Sequence, residues 1–219
     1  MKKGKFVVIE GVDGSGKSTL VGELLEPITK AFDEVIVFRD PGGILYNTNG
    51  TFSQISEDIR TVVRKDYEEG VSPLCEFYLM CASRAHLTEK FIRPALARGA
   101  LVLADRWWPS TWAYQGANGI DLQLIMSQID VIDLPIDLLV HIDIDKELRD
   151  QRLSKRGGPL DKFESRGEDY THRVINGYRC LPITHERVKH IHTLHQGGDN
   201  AVMTVAEMRD KVMTLITAL

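Results

Sequence analysis

Short runs of apolar residues alternate with longer amphipathic stretches along the chain, and this alternation predicts the fold class. Continuous apolar runs are typical of strands that are buried on both faces of a parallel sheet. Helical patterns separate the runs, as expected when helices connect parallel strands across both faces. The sequence therefore predicts an α/β fold with a five-stranded parallel sheet flanked by helices, with the strands FVVIE (6–10), VIVFR (35–39), LVLAD (101–105), LLVHID (138–143) and KHIHTL (189–194).

Local signals mark several helix and loop boundaries. Ser72 stands before a proline, which fits an N-cap followed by a first-turn proline. Thr204 and Ser165 each begin a capping-box pattern, in TVAE and SRGE. Residues 40–51 and the basic residues 154–167 are predicted as loops from their Gly, Asn and Pro content. No linker divides the 219 residues, so we expect a single domain.

Composition and charge narrow the classes of protein. A chain of 219 residues is long enough for one sizeable core, and 43% hydrophobic with 26% charged residues is an ordinary globular mixture. The net charge of −4 provides no overall basic field for nucleic acid. The apolar runs are too short for a signal peptide or a membrane span. We therefore expect a cytoplasmic protein that binds neither nucleic acid nor membrane.

One stretch near the N-terminus carries a specific chemical signal. Gly11, Gly16, Lys17 and Ser18 match G-x-x-x-x-G-K-[ST], between an apolar strand and an amphipathic helix. In such a loop, backbone N–H groups surround phosphate oxygens, the lysine contacts the outer phosphates and the hydroxyl binds Mg²⁺. The sequence predicts a site for a nucleoside triphosphate with Mg²⁺, formed by Gly11, Gly14, Ser15, Gly16, Lys17, Ser18 and Thr19.

The remaining sequence favours phosphoryl transfer over a switch or a motor. FRDPGG contains the D-x-x-G of GTPase switches, but NGID, the nearest match to the guanine-reading N-K-x-D, lacks the lysine. Isolated arginines stand in predicted loops, at strand ends and in an apolar helix; they are Arg39, Arg84, Arg106 and Arg156. An enzyme that brings two phosphorylated substrates together needs several such cations.

Four segments resemble the thymidylate kinases in content and order: EGVDGSGKST, FRDPGG, ADRWWPSTWAYQG and RLSKRGGPLDKFE. The resemblance extends from Phe6 to about Arg179. It implies a P-loop NTPase fold with a basic lid segment, about 154–167. It also implies transfer of the γ-phosphoryl group of ATP to dTMP with Mg²⁺, and a homodimer.

The resemblance assigns roles around the transferred phosphate. It implies that Asp13 accepts a hydrogen bond from the 3′-hydroxyl of the acceptor sugar. Arg39 and Arg106 would hold the acceptor phosphate, which suits a bidentate guanidinium. Asp105 would bind Mg²⁺ or its water shell together with Ser18.

For the nucleoside, the resemblance implies a second set of contacts. Arg84 would donate to the pyrimidine O4, and Ser110 or Thr111 would present a hydroxyl near the base. Tyr114 matches a ring that packs against the deoxyribose and disfavours a 2′-hydroxyl. Gln115, in the same AYQG motif, is assigned to the same dTMP site.

The basic residues of the lid resemble one branch of the family. The phosphate loop has Gly14 where the other branch has an arginine, so the lid is expected to supply the cation that neutralises the transferred group. The candidates are Arg156 and Lys162, followed by Arg152, also assigned to ATP binding, and Lys155.

One position departs from the family pattern. The family has a phenylalanine that stacks on thymine one helical turn before the base-reading arginine, where this chain has Met80. Phe77 lies a further turn away, and both side chains are assigned to the dTMP site. This departure leaves open a deoxynucleoside monophosphate kinase of broader or modified-pyrimidine specificity. A nucleotide-binding regulator without transfer activity is a further alternative.

Overall fold

The computed structural model describes residues 3–50, 52–132, 134–157, 162–183, 188–192 and 202–219. Its strands are β1 (Lys5–Glu10), β2 (Val35–Arg39), β3 (Ile44–Asn47), β4 (Leu101–Asp105), β5 (Leu138–Asp143) and β6 (Val188–His192). They form one sheet in the order β3-β2-β4-β1-β5-β6, with every neighbouring pair parallel except β2 and β3. The α/β class with a parallel sheet is confirmed.

The strand β3 corrects the prediction of a five-stranded sheet, since residues 40–51 were expected to form only a loop. Gly42 has a φ of 142°, and the chain reverses directly after β2 so that β3 pairs antiparallel to it. β3 has only four residues, ILYN, which do not alternate between apolar and polar positions, and Ile44 is the only one that is buried. Such a short segment carries no periodic signal that would distinguish a strand from a loop. The last strand spans Val188–His192, and the end of the predicted KHIHTL lies outside the described residues.

The α-helices in the described part of the chain are α1 (Lys17–Ala31), α2 (Gln54–Arg64), α3 (Pro73–Leu87), α4 (Arg93–Arg98), α5 (Trp108–Ala117), α6 (Leu122–Ile132), α7 (Lys146–Arg156), α8 (Glu168–Arg179) and α9 (Val205–Thr217). A π-helical turn, Thr88–Ile92, joins α3 to α4, and a 3₁₀ turn, Glu164–Arg166, precedes α8. Among the described helices, none combines the length and the apolar character that crossing a bilayer requires.

The sheet is covered on both faces. Along β1, Val7 and Ile9 point to one face and pack with α1 and α9, while Phe6 and Val8 point to the other. On that second face they pack with α3, α4 and the segment that leads into α5. Burial on both faces explains why β1 is a continuous apolar run, and it fixes the carboxyl ends of β1, β2 and β4 side by side.

Two of the three predicted helix starts are confirmed. Ser72 caps α3 by accepting from the N–H of Cys75, and Thr204 forms a complete capping box at α9. The capping box at Ser165 is wrong, because α8 begins after Gly167, which has a φ of 88°. The hydroxyl of Ser165 instead donates to the carbonyl oxygen of Lys162 in the preceding turn.

Candidate active site

Three glycines shape the turn after β1. Gly11, Gly14 and Gly16 have φ values of 149°, 83° and 99°, which glycine adopts far more readily than other residues. A Cβ on Gly11 would lie 2.6 Å from the carbonyl oxygen of Ile142, so no side chain fits there. The helix α1 begins directly after Gly16 without a side-chain cap. Its first N–H groups can therefore bind an anion.

Lys17 is the first residue of α1, and its side chain is buried. Its Nζ donates to the carbonyl oxygen of Val12 at 2.9 Å, within the phosphate loop. Burial and the charge of Arg106 lower the pKa of Lys17 to about 8. A bound phosphate would stabilise this cation, because attraction between opposite charges is strong where water is excluded.

The carboxylate of Asp105 lies beside the phosphate loop, because β4 pairs with β1 and ends there. Ser18 Oγ donates to Asp105 Oδ2 at 2.8 Å. The other oxygen, Asp105 Oδ1, is buried and has no hydrogen-bond partner among the described atoms. A hydroxyl beside a carboxylate with a spare buried oxygen fits Mg²⁺, which prefers oxygen ligands.

Arg106 follows Asp105 directly in the chain. Its φ is 73°, and among the described residues no other non-glycine residue has a positive φ. Its NH2 donates to Asp13 Oδ1 at 2.5 Å, and its NH1 donates to the carbonyl oxygen of Gly11 at 3.0 Å. The hydroxyl of Tyr114 donates to Asp13 Oδ2 at 3.0 Å. Burial raises the pKa of Asp13, but Arg106 and Lys17 outweigh burial and hold it below its ordinary value. Asp13 is therefore an anion at neutral pH.

Arg39 lies at the end of β2, where its NH2 is 3.1 Å from Glu57 Oε1. Arg39 lines a cavity that lies among the ends of β2 and β4, α2, α3 and α5, and Arg60 and Arg64 of α2 line the same cavity. Arg60 also donates to the carbonyl oxygen of Pro41 at 2.6 Å. Burial and the charges of Arg39 and Arg64 lower the pKa of Arg60 to about 10. Sequence reasoning missed both arginines of α2. Their spacing of four residues, which places them on one helix face, is the signal that could have found them.

Arg84 of α3 is a buried arginine held by two polar contacts. Its Nε donates to Asp40 Oδ2 at 2.6 Å, and its NH2 donates to Thr111 Oγ1 at 2.6 Å. Met80 lines the same cavity one turn earlier, whereas Phe77 lines a separate and smaller cavity. Sequence reasoning missed Asp40, since its partner lies 44 positions away.

Ser110 and Gln115 of α5 both contact carboxylates that the sequence did not identify. The hydroxyl of Ser110 donates to Glu10 at 2.8 Å, although Ser110 also lines the cavity. The side-chain nitrogen of Gln115 donates to Glu76 at 3.0 Å. Each of these two side chains therefore makes a polar contact to the protein itself.

The second half of the predicted lid contacts α3. Lys162 and Arg166 both lie 3.0 Å from Glu76 Oε2, and Glu76 is fully buried. The ring of Phe163 lies edge-on to Tyr114, with 5.9 Å between ring centroids, and it lines the cavity. Lys162, a candidate for the transfer cation, is thus paired with a protein carboxylate. Residues 158–161 of the lid lie outside the described residues.

The first half of the predicted lid is helical, which corrects the prediction of a loop over 154–167, because α7 continues to Arg156. Arg149 donates to the carbonyl oxygen of Asp13 at 3.2 Å, and Arg152 donates to that of Ser15 at 3.0 Å. These two arginines of α7 therefore brace the phosphate loop.

Two cavities meet at the phosphate loop. The first has a volume of about 240 Å³ and lies among the ends of β2 and β4, α2, α3 and α5. The second has a volume of about 420 Å³ and is lined by Gly14, Gly16, Thr19, Arg152, Leu153, Arg156, Val205 and Met208. Both cavities are also lined by Asp13, Lys17 and Ser18. Two phosphorylated ligands, one in each cavity, would therefore meet at these three residues.

The phosphate loop between β1 and α1, the parallel sheet and the two adjoining cavities define a P-loop phosphotransferase of the mononucleotide kinase class. Within that class, the chain belongs to the thymidylate kinase family, whose model matches residues 9–201. The resemblance noted from the sequence is confirmed.

Curated relatives and a solved structure agree with the family. The chain is 32% identical to a thymidylate kinase of Pelodictyon phaeoclathratiforme over 222 residues, covering 96% of this chain and 94% of the relative. It is 38% identical to a thymidylate kinase of Pseudomonas fluorescens, with 80% of each chain covered. A crystal structure of thymidylate kinase from Ehrlichia chaffeensis superposes with a TM-score of 0.75 at 25% identity, covering 97% of this chain and 98% of that one.

Proposed function

We propose that this chain transfers the γ-phosphoryl group of ATP to dTMP, giving dTDP for deoxynucleotide biosynthesis. One observation carries the proposal: the two cavities share Asp13, Lys17 and Ser18. A donor in the larger cavity and an acceptor in the smaller one would have their phosphates in contact at Lys17. Such positioning removes much of the entropic cost of bringing two reactants together.

The protein's main tasks at the phosphates are positioning and charge neutralisation. The N–H groups at the start of α1 and the ammonium of Lys17 would bind the outer phosphates of ATP. Arg39 and Arg106 would hold the acceptor phosphate, with Arg60 as a third cation on the same cavity. An acceptor phosphate oxygen is already nucleophilic, so no protein base is needed.

Ser18 and Asp105 would hold Mg²⁺, and Asp105 Oδ1 supports this assignment because it is buried without a hydrogen-bond partner in the described part of the chain. When bound, the ion neutralises the charge that builds up on the β- and γ-phosphates. The protein's own part is to keep the two oxygens in place at the ends of β4 and the phosphate loop.

The nucleoside of dTMP would occupy the inner part of the smaller cavity. Arg84 is held rigidly by Asp40 and Thr111, so it can present its remaining N–H groups to a pyrimidine carbonyl. Met80 would pack against the base, and it adapts its shape more readily than an aromatic ring. Asp13 would accept from the sugar 3′-hydroxyl.

Arg156 is the lid cation that we assign to the transferred phosphoryl group. It stands at the end of α7 and lines the donor cavity, whereas Lys162 lines neither cavity and contacts Glu76 on α3. A lid that closes over both cavities would also exclude water, which otherwise competes for the phosphoryl group.

The test is ADP formation with a panel of nucleoside monophosphates. We expect turnover that requires an added monophosphate and is fastest with dTMP. ATP binding without turnover on any acceptor would support the regulator and contradict the proposed function. Equal rates with dTMP, dUMP and 5-substituted analogues would instead support the kinase of broader specificity.

The homodimer that the family resemblance implies is also a proposal, as is a cytoplasmic location, where ATP and dTMP would be available. Helices α2 and α3 pack on each other, and both expose apolar side chains; they are Ile55, Val62, Leu74 and Tyr78. Such a patch is typical of an interaction surface. Light scattering after gel filtration should give twice the chain mass of 24.7 kDa, and a monomer would contradict it.

A further inference from the structure

Glu10, the last residue of β1, is a fully buried carboxylate to which the reaction outlined above assigns no role. Through Oε1 it accepts from the N–H groups of Trp107 at 2.9 Å and Ser110 at 3.1 Å. Through Oε2 it accepts from the hydroxyls of Ser110 and Tyr178, both at 2.8 Å. Burying a carboxylate is costly unless it is hydrogen-bonded, and these four donors offset that cost.

The Oε1 side of Glu10 fixes the backbone on which Arg106 stands. Arg106 has a φ of 73°, an unfavourable conformation for a long side chain. The N–H of Arg106 donates to the carbonyl oxygen of Ile9 at 3.0 Å, and the next N–H, of Trp107, donates to Glu10. Consecutive residues of β1 therefore bind the peptide N–H groups on both sides of the strained residue. These bonds favour the conformation that directs Arg106 into the acceptor cavity.

Oε2 of Glu10 orients the hydroxyls of Ser110 and Tyr178, which both contact the guanidinium of Arg106. Arg106 NH1 donates to Ser110 Oγ at 3.0 Å and to the hydroxyl of Tyr178 at 3.1 Å. Because both hydroxyls donate to Glu10, their lone pairs are turned towards the arginine. The carboxylate itself lies 3.9 Å from NH1 and adds an opposite charge behind the guanidinium.

We propose that Glu10 is a positioning residue that holds Arg106 ready for the acceptor phosphate, through the peptide of Trp107 and the hydroxyls of Ser110 and Tyr178. The inference rests on the proposed function, since it concerns an arginine that acts in phosphoryl transfer. It assigns a part in the reaction to a residue that lines neither cavity.

Glu10→Gln separates this role from a general effect on the fold. Its amide oxygen can still accept from the N–H groups of Trp107 and Ser110. Its NH₂ group would face two hydroxyls and a guanidinium, where a donor replaces an acceptor and the negative charge is lost. Tyr178→Phe removes one of the two hydroxyls and leaves the carboxylate in place. Thr88→Val is the matched control, because it deletes a buried hydroxyl without a described partner, outside both cavities.

The measurement is steady-state transfer from ATP to dTMP, with thermal unfolding of every variant. We expect Glu10→Gln to lower kcat/KM for dTMP by about 100-fold, as is typical when a catalytic group is misplaced by about 1 Å. Tyr178→Phe should lower it by about tenfold, the expected loss for one hydrogen bond to a charged group. The KM for ATP should stay within about twofold, because Lys17 and the loop glycines are untouched. Thr88→Val should match wild type.

Two results would overturn the inference: wild-type kinetics in Glu10→Gln, or a rise of KM for ATP as large as the rise for dTMP. If Glu10→Gln fails to fold, Tyr178→Phe still decides, since wild-type kcat/KM for dTMP in that variant contradicts the role. An inactive wild-type protein would instead refute the proposed function, so the two failures are distinct.

Discussion

Glu76 should act as the contact that holds the second half of the lid over the acceptor cavity. It is fully buried on α3, and its Oε2 lies 3.0 Å from both Lys162 Nζ and Arg166 NH2. Phe163, between these two cations, lines the cavity and packs against Tyr114. Glu76→Gln would leave the shape of the side chain nearly unchanged while removing the charge that attracts the lid.

The expected size of the effect follows from these contacts. A hydrogen bond to a charged group contributes about 1.5–3 kcal/mol, and losing the equivalent of one such bond disfavours closure by about 10- to 150-fold. We therefore expect kcat for transfer to dTMP to fall by at least about tenfold. The share of ATP lost to hydrolysis should rise, because an open site admits water.

The assay compares dTDP formation with release of inorganic phosphate in the same reaction. Glu168→Gln is the matched control, since it neutralises an exposed carboxylate that pairs with Lys146 on the surface, outside both substrate cavities. It should leave both products unchanged. Unaltered kcat and unaltered product ratio in Glu76→Gln would refute the reasoning. A fall of about 10³-fold in Lys162→Ala alone would make Lys162 the transfer cation, by analogy with arginine fingers.

Three further predictions concern the cations and the base pocket. Arg156→Ala should lower kcat by about 10³-fold with little change in either KM, and a change confined to the KM for ATP would make Arg156 a binding residue. The pKa of Lys17 is lowered to about 8, chiefly by burial, so its positive charge is lost as pH rises through that value. Accordingly, kcat/KM for ATP should decline above about pH 8, and a flat profile up to pH 10 would contradict this assignment. Met80→Phe should increase the preference for dTMP over 5-substituted dUMP analogues by up to about tenfold, since stacking is worth about 0.5–1.5 kcal/mol; an unchanged ranking across the analogues would show that position 80 does not contact the base.

Much of the fold could be predicted because its signals are local. The strands β1, β2, β4 and β5 are mostly continuous apolar runs, which follows from burial on both faces. Ser72 and Thr204 cap their helices by contacts with residues three positions away. The strand β3 and the true start of α8 could not be read in this way. Each follows a turn that contains a glycine with a positive φ, Gly42 before β3 and Gly167 before α8. The backbone conformation of a glycine cannot be recognised from the pattern of hydrophobic residues.

The same distinction between local and long-range signals applies to the residues of the candidate site. The phosphate loop is one contiguous segment, so its residue types and their spacing are enough to indicate its chemistry. The pairing of Arg84 with Asp40 and of Lys162 with Glu76 spans 44 and 86 positions, and no spacing rule relates such residues. The role of a charged side chain can therefore be assigned only when its neighbours in the folded structure are known.

The sequence by itself determined the parallel sheet, the phosphate loop and the family. The sheet and the loop are recognised from runs of adjacent residues, and the family from short motifs in a fixed order. Tertiary structure alone decided which cations lie beside the substrate cavities. Arg156 lines the donor cavity, whereas Lys162 contacts the buried Glu76 and lines neither cavity. The physical reason is that a buried charge requires a partner, and which residue becomes the partner depends on how the fold brings distant elements together.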